Sequence, residues 1–184
     1  MKQAVASLLI AALFISCAAS LPYGIDYPLT AQSFRSRDGV FSARVPQGWF
    51  SSTGDTLVPA LVAWLVKDDL SAAVGVKELS LDREAAHRVE KDGLGLLASI
   101  DASLRAGGSD SAGSATEPKE FELQGKKFCS YETSAGGKLI RVVVFAAGGR
   151  FYACEAGAVK GRTSAEETVR MFTAQQTFLS TMKF

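Results

Sequence analysis

The sequence predicts an α+β fold, an antiparallel β-sheet of about six strands covered by a long central helix and a C-terminal helix. Short β-rich segments come in two groups of three, separated by a long segment whose apolar residues have helical spacing. Glycine-rich turns join the second group into consecutive hairpins, which makes the sheet antiparallel. A second helical segment ends the chain, and an apolar sheet needs helices to cover it.

The first group of strands is predicted over residues 40–45, 60–67 and 72–81. Pro46 ends the first strand, because proline has no amide hydrogen to donate to a neighbouring strand. Asp68 and Asp69 form the turn between the second and third strands.

The long helix is predicted from Arg83 to about Arg105, with Asp82 as its N-cap. Gly93 and Gly95 weaken this helix by about 1 kcal/mol each relative to alanine, and they indicate a kink or close packing on the sheet. Residues at helical spacing form one stripe that we expect to be buried: Ala86, Val89, Gly93, Leu97, Ile100 and Leu104.

After a polar loop over residues 107–117, the second group of strands is predicted over residues 119–133, 138–146 and 150–156. Gly125 marks a turn or bulge inside the first of these segments. The last helix begins at Ser164, which forms a capping box with Glu167. Its expected buried residues are Val169, Phe172, Phe178, Leu179 and Met182.

The N-terminus is typical of an exported bacterial lipoprotein. Lys2 precedes an apolar run over residues 4–15, which is shorter than the about 20 residues that a membrane-spanning helix needs. The run leads into Leu13-Phe14-Ile15-Ser16-Cys17-Ala18, which resembles a lipobox, although Phe14 stands where leucine is usual. Cys17 is therefore the predicted lipidation site. The alternative is ordinary cleavage after Ala19 or Ser20, which would give a secreted soluble protein.

These observations predict three parts of the chain. Residues 1–17 are a signal peptide with its lipobox, residues 18–32 are a tether, and residues 33–184 are a single globular α+β domain. The predicted location is the periplasm or cell envelope, with the membrane as one partner through the lipid anchor. The chain has 20 Lys and Arg against 19 Asp and Glu. Because basic residues are not in clear excess, the composition does not predict a nucleic-acid partner.

Cys129 and Cys154 are the other two cysteines, and strand register predicts that they are not bridged. A turn over residues 134–137 places Cys129 opposite Val142, and a Gly148-Gly149 turn places Cys154 opposite Val143. The cysteines then flank one central strand, about 9–10 Å apart and on opposite faces. A disulfide needs Cα atoms within about 7 Å.

No pattern in the sequence predicts a catalytic site, a metal site or a cofactor. His87 is the only histidine, and the helical pattern places it on the solvent side with Glu84 and Lys91. The stretch from Gly93 to Ala98 has the letters of a dinucleotide-binding motif but lies inside the predicted helix rather than after a strand. The loop over residues 47–56 offers Trp49 and Phe50 as possible contacts with a partner.

Residues 39–49 read Gly-Val-Phe-Ser-Ala-Arg-Val-Pro-Gln-Gly-Trp. This pattern, in which a glycine and an aromatic strand precede Pro-x-x-Trp, resembles the opening of many proteins of the PsbP-like superfamily. The order of strands and helices over about residues 34–184 is also similar to that of the superfamily. This superfamily includes bacterial lipoproteins and a Ran-binding nuclear import factor. The resemblance implies a sheet between helices, usually without catalysis, in proteins that mostly bind or stabilise other proteins. It carries over no site residue.

The sequence as a whole predicts an exported, lipid-anchored envelope protein that acts as a non-enzymatic protein-binding or assembly module, with an envelope protein as its partner. Two other classes stay open: an envelope enzyme with an unrecognised site, and a carrier of a small molecule or metal. A pocket lined by polar groups with shifted pKa values would favour the enzyme. A large dry cavity would favour the carrier.

Overall fold

The computed structural model describes residues 21–52, 58–107, 114–161 and 163–184. The predicted signal peptide, Cys17 and the first residues of the predicted tether lie outside these ranges. The described residues form nine strands and three helices. In chain order these are β1 (Leu29–Arg35), β2 (Ser42–Pro46), β3 (Trp49–Ser52), β4 (Leu61–Lys67), β5 (Ala72–Leu79), α1 (Arg83–Asp92), α2 (Leu94–Gly107), β6 (Lys119–Leu123), β7 (Lys126–Ala135), β8 (Lys138–Ala147), β9 (Arg150–Ala158) and α3 (Ala165–Ser180).

Seven of the strands form one sheet in the order β3-β4-β5-β9-β8-β7-β6, in which every pair is antiparallel. The predicted fold class, a large antiparallel sheet with helices, is confirmed. Strands β1 and β2 form a separate antiparallel pair. One face of the large sheet packs against this pair and α3, and the other face packs against α1 and α2.

The folded domain starts earlier than the sequence predicts. Strand β1 begins at Leu29, inside the stretch predicted to be a tether, and its polar sequence explains why it has no clear strand pattern. Before it, Tyr23 and Tyr27 pack against the main core. The backbone N–H of Gln47 donates to the carbonyl of Pro28 at 2.8 Å. At least residues 23–32 are therefore part of the domain rather than a free tether.

The predicted long helix is two helices, because Gly93 breaks it. Gly93 has φ +88°, a left-handed conformation that glycine adopts without strain, and its N–H donates to the carbonyl of Val89. Of the predicted buried stripe, only Leu97 is buried in α2. Ile100 and Leu104 are 39% and 70% exposed. The buried residues of α2 are Leu97, Ala98 and Ala102.

In α3, the predicted capping box between Ser164 and Glu167 is present, and Asp82 caps α1 as predicted. Val169 is an exception to the predicted buried side of α3, since it is 53% exposed. The four other predicted core residues of this segment are buried: Phe172, Phe178, Leu179 and Met182.

The β7–β8 turn is tighter than predicted. Ala135 pairs with Lys138, so only Gly136 and Gly137 form the turn, and both have positive φ. Cys129 therefore lies opposite Val144 rather than Val142. The shift is two residues, so it does not change the face to which Cys129 points.

Cys154 lies opposite Val143, as predicted. Cys129 and Cys154 belong to the cores on opposite faces of the sheet, and both are free thiols with no measurable exposure. Burial raises the pKa of Cys129 to about 11 and that of Cys154 to about 12. Both are therefore protonated at neutral pH and act as small core residues.

Arg141 is the largest fully buried side chain, 1% exposed, and it lies on β8 facing α3. Its guanidinium donates to the side-chain oxygen of Gln175 at 3.1 Å and to that of Gln176 at 2.6 Å. It also lies over the rings of Tyr23 and Phe121, at 4.8 Å and 5.6 Å from their centroids. Burial lowers the pKa of Arg141 to about 10, so the group is still charged at neutral pH.

The two glutamines connect this cation to the rest of the fold. The side-chain amide of Gln175 donates to the carbonyls of Arg141 and Cys154, at 3.3 Å and 2.9 Å. That of Gln176 donates to the carbonyl of Tyr23. The cluster therefore joins β8, β9, α3 and the N-terminal segment at one point.

A second polar cluster attaches α2 to the opposite face. Arg105 donates to Asp101 at 3.0 Å and to Glu155 on β9 at 2.7 Å. Tyr131 on β7 donates to Asp101 at 2.5 Å, and Lys77 on β5 donates to Glu155 at 3.1 Å. Each charged group has a partner of opposite charge, so the cluster is internally neutralised.

We expect the Arg141→Met substitution to lower the free energy of unfolding by about 2–4 kcal/mol, because it leaves two buried glutamine oxygens without a donor. Urea denaturation measures this loss. Arg150→Met is the control, since Arg150 is 47% exposed in its ion pairs and should change the free energy of unfolding by no more than about 0.5 kcal/mol. Equal effects of the two substitutions would contradict the role given to Arg141.

The cluster on α2 predicts a pH dependence of stability. Burial opposes the charged form of Glu155, but hydrogen bonds and charge from Arg105 and Lys77 outweigh it and lower the pKa of this carboxyl. A lowered folded-state pKa stabilises the protein above the unfolded value of 4.5, and this stability is lost as pH falls through the folded-state pKa.

We expect Glu155→Gln to remove part of the loss of stability on acidification below about pH 4.5. Urea midpoints measured from pH 7 down to pH 3 test this. Glu122→Gln, which changes an exposed carboxyl on β6, should leave the acid limb of the curve unchanged. The explanation fails if the urea midpoints of the two variants fall equally as the pH is lowered from 4.5 to 3.

Candidate functional site

The candidate site is an apolar area on the face of the sheet that carries α2. Successive side chains of a strand point to opposite faces, and residues paired across antiparallel strands share a face. One row of paired residues crosses five strands on this face: Phe50, Val66, Ala73, Gly157 and Ile140. Trp64 lies in the next row, paired with Ser52 and Gly75. We call Phe50, Trp64, Val66 and Ala73 the docking face.

Among the described residues, no helix has its main contacts with β3, β4 or β5. Helix α2 lies over β6, β7 and β8, while α3 packs on the opposite face against β2 and β9. Arg105 and Lys77 meet at Glu155, which marks the border of the area that α2 covers. The half of this face formed by β3, β4 and β5 is therefore mostly apolar and has little contact with a helix, although an apolar sheet face normally packs against another layer.

Exposure agrees with this arrangement. Phe50 is 48% exposed, and Trp64 and Ala73 are half-buried. Val66, directly opposite Phe50, is 7% exposed. An exposed aromatic side chain beside a partly exposed one is typical of protein contact surfaces.

Two glycines lie under apolar side chains on this face. A Cβ atom at Gly75 would lie 3.2 Å from Cδ1 of Leu61, and one at Gly157 would lie 3.4 Å from Cγ1 of Ile140. The absence of side chains at these positions lets Leu61 and Ile140 lie close to the sheet.

Trp49 and Phe50, the two residues predicted as possible partner contacts, differ in exposure and point to opposite faces of the sheet. Trp49 is only 7% exposed, and its indole N–H donates to the hydroxyl of Tyr27 at 3.3 Å, so it is a core residue. Phe50, the next residue along the strand, points to the other face and is exposed. The sequence alone favours a core position for Trp64, because β4 is apolar at every position from Leu61 to Val66 and its sequence does not show which face is exposed.

Two clefts of the described structure are open to solvent and have a mixed polar and apolar lining. One has a volume of about 690 Å³ and lies between Tyr23 and the β6–β7 edge. Carboxylates, a lysine and hydroxyl groups line it together with Phe121: Thr116, Glu117, Lys119, Glu120, Ser130 and Glu132. Another cleft of about 560 Å³ lies beside the α1–α2 junction. Neither is the large dry cavity that would favour a carrier.

Asp38 and Tyr131 have shifted pKa values, and both form hydrogen bonds with other groups of this domain. Burial opposes ionisation of Asp38, but hydrogen bonds from Ser36 and Tyr152 and from the backbone N–H of Val40 outweigh it and lower the pKa of this carboxyl. Burial and the hydrogen bond to Asp101 raise the pKa of Tyr131. These groups connect secondary-structure elements, so their shifted pKa values have a structural explanation.

His87 is on the exposed side of α1, as predicted, with its ring 3.9 Å from the carboxylate of Glu90. Within the ranges that the structure describes, no group of three or more His, Cys, Asp or Glu side chains is arranged to hold a metal ion. In the same ranges, no helix has both the length and the apolar character to cross a bilayer.

Comparisons with known proteins show which solved structures have a similar fold. No family model matches the sequence, and no curated protein matches it. Among solved structures, the chain is similar to cyanobacterial PsbP (CyanoP) from Synechocystis sp. PCC 6803, with a TM-score of 0.50, 12% identity, and coverage of 91% of this chain and 98% of that chain.

Two other solved structures are similar at lower scores. The Ran-binding protein Mog1p from Saccharomyces cerevisiae has a TM-score of 0.49, 12% identity, and coverage of 84% of this chain and 95% of that one. LpqN from Mycobacterium tuberculosis, involved in cell envelope biogenesis, has a TM-score of 0.43, 14% identity, and coverage of 78% and 82%. At these identities the likeness concerns the fold alone, which is PsbP-like.

Proposed function

We propose that this protein is exported, anchored in a membrane of the cell envelope through Cys17, and acts there as a non-enzymatic module that binds or helps to assemble other proteins. The docking face is the observation that supports the binding role, because it presents the exposed ring of Phe50 beside the half-buried Trp64 on paired strands. The export role rests on the sequence of the first 17 residues.

The fold is compatible with this role. A docking face built on paired strands is held rigidly, so a partner does not have to order it on binding. The aromatic side chains Phe50 and Trp64 are of the type that contributes most to binding energy at protein interfaces. The partner is therefore expected to present a complementary apolar surface.

The Cys17→Ser substitution tests the anchor. A hydroxyl group does not replace the thiol that carries the lipid, so we expect an alkyne-tagged fatty acid to label the wild-type protein and not the variant. The control is Ser7→Ala, which changes the apolar segment without touching Cys17 and should leave labelling intact. Wild-type protein without label, whose intact mass matches a chain that begins at Ser20 or Leu21, would indicate a secreted soluble protein instead.

A photo-crosslinking amino acid at position 50 tests the docking face. We expect it to form an adduct with one defined envelope protein, while the same amino acid at Phe184 does not. Phe184 is the matched control, since it is 49% exposed against 48% for Phe50.

The captured protein is then purified and titrated with the Phe50→Ser variant. We expect an affinity loss of about tenfold or more, without a change in thermal stability, because an exposed aromatic contact is removed. Identical adducts from positions 50 and 184, or unchanged affinity of the variant, would argue against this surface.

A further inference from the structure

The outer edge of β3 is unprotected. Strands β3 and β6 are the two edges of the large sheet. An edge strand presents unpaired backbone N–H and C=O groups, and natural proteins usually protect such edges with charged side chains or proline. Strand β3 has the sequence Trp-Phe-Ser-Ser, so it contains neither a charged residue nor a proline. It is therefore able to accept a further strand.

The strand register shows which backbone groups of β3 point outward. Gly48 and Asp68 form a hydrogen-bonded pair, in which the N–H of Asp68 donates to the carbonyl of Gly48 at 2.9 Å. Because bonded and non-bonded pairs alternate along antiparallel strands, the backbone of Phe50 also bonds to β4, and the backbone groups of Trp49 and Ser51 point away from it. In the described part of the chain, no hydrogen bond engages these outward groups.

The side chains of β3 leave room for a neighbouring strand. Phe50 is 48% exposed, Ser52 is exposed and Ser51 is partly exposed. Phe50 lies at the rim of the docking face, directly beside the open edge. A strand added next to β3 would thus contact the ring of Phe50 and extend the sheet, without lying over Trp64.

A second copy of β3 fits this edge. When two copies pair antiparallel about a two-fold axis at Phe50, Trp49 of each copy lies opposite Ser51 of the other, and their outward groups form four backbone hydrogen bonds. The two Phe50 residues face each other as a non-bonded pair, the closer of the two pair types, and aromatic pairs across strands are stabilising. The edge is therefore complementary to itself, as a two-fold interface requires.

The other edge of the sheet is protected against such pairing. Leu123 lies opposite Lys126 across a two-residue turn, so the backbone groups of Glu120 and Glu122 are the ones that point away from β7. Two copies of β6 paired through these groups would place Glu120 opposite Glu122 of the second copy, and like charges directly opposite each other destabilise a sheet. Pro118 also directly precedes β6. The open edge of β3 is therefore not a general property of this sheet.

We propose that two copies of this chain pair through β3, edge to edge, and form one continuous antiparallel sheet. The two docking faces then lie side by side on the same face of the joined sheet, with Trp64, Val66 and Ala73 of each copy still open to another protein. This inference goes beyond the proposed function, because it needs neither the lipid anchor nor a different envelope protein.

Sedimentation equilibrium of the full chain in a nonionic detergent tests the pairing. We expect a reversible monomer–dimer equilibrium for the wild-type protein. Ser51→Pro removes an N–H that points away from β4, so the strand itself can keep its bonds. It should weaken dimerisation by at least about tenfold, because two of the four hydrogen bonds between the copies are lost.

Glu122→Pro is the matched control, since it removes an outward N–H from the other edge and should leave the dimerisation constant unchanged. Thermal unfolding shows whether both variants are folded. Wild-type protein that stays monomeric at every concentration, or a dimer that a folded Ser51→Pro variant forms equally well, would overturn the proposal.

Cysteine cross-linking in intact cells tests the register and does not depend on the proline variants. In Phe50→Cys, the two introduced residues face each other across the axis with Cα atoms about 4.5 Å apart, which suits a disulfide. In Ser52→Cys, the control on the same strand and face, they are four residues apart along the strands, or about 13 Å. Cys129 and Cys154 are fully buried and should not contribute to cross-linking.

Oxidation should therefore give a disulfide-linked dimer from position 50 and not from position 52. Equal amounts from both positions, or no dimer from position 50, count against the pairing. A photo-crosslinked adduct of two copies also differs in mass from an adduct with another envelope protein, so the pairing and the proposed function can fail separately.

Discussion

The buried guanidinium of Arg141 is the constraint on which the rest of the fold depends. A cation that is charged and almost completely removed from water destabilises a protein unless its hydrogen bonds are satisfied. Here Gln175 and Gln176 supply the acceptors, and Tyr23 and Phe121 supply aromatic faces. The position of α3 on the sheet and the path of the N-terminal segment follow from this requirement.

The two faces of the sheet are consequently unequal. Arg141 and its glutamines fix α3 and the N-terminal segment on one face, while α2 is held on the other by the ion cluster around Glu155. That cluster ends at Lys77 on β5. On the face that carries α2, the outer strands β3 and β4 therefore lie beyond the area that the described helices mainly contact. The docking face is thus a product of where the polar clusters place the helices, rather than of an unusual strand sequence.

Local chemistry made much of the fold predictable from the sequence. The N-cap at Asp82 and the capping box at Ser164 depend on residues within one helical turn, and both are present. Features that depend on tertiary contacts were not predictable. The strand β1 is polar, and the burial of Arg141 depends on residues more than thirty positions away. Gly93 signalled a kink, but the new direction of α2 is set by its packing on the sheet.

The two thiols of the core have a consequence for how the protein matures. Cys129 and Cys154 are separated by the central strand β8, face opposite sides and have raised pKa values. Neither reacts readily as a thiolate, because little of it is present near neutral pH. The domain can therefore reach its native state without an oxidising partner, and its stability does not change with the redox conditions of the compartment where it matures.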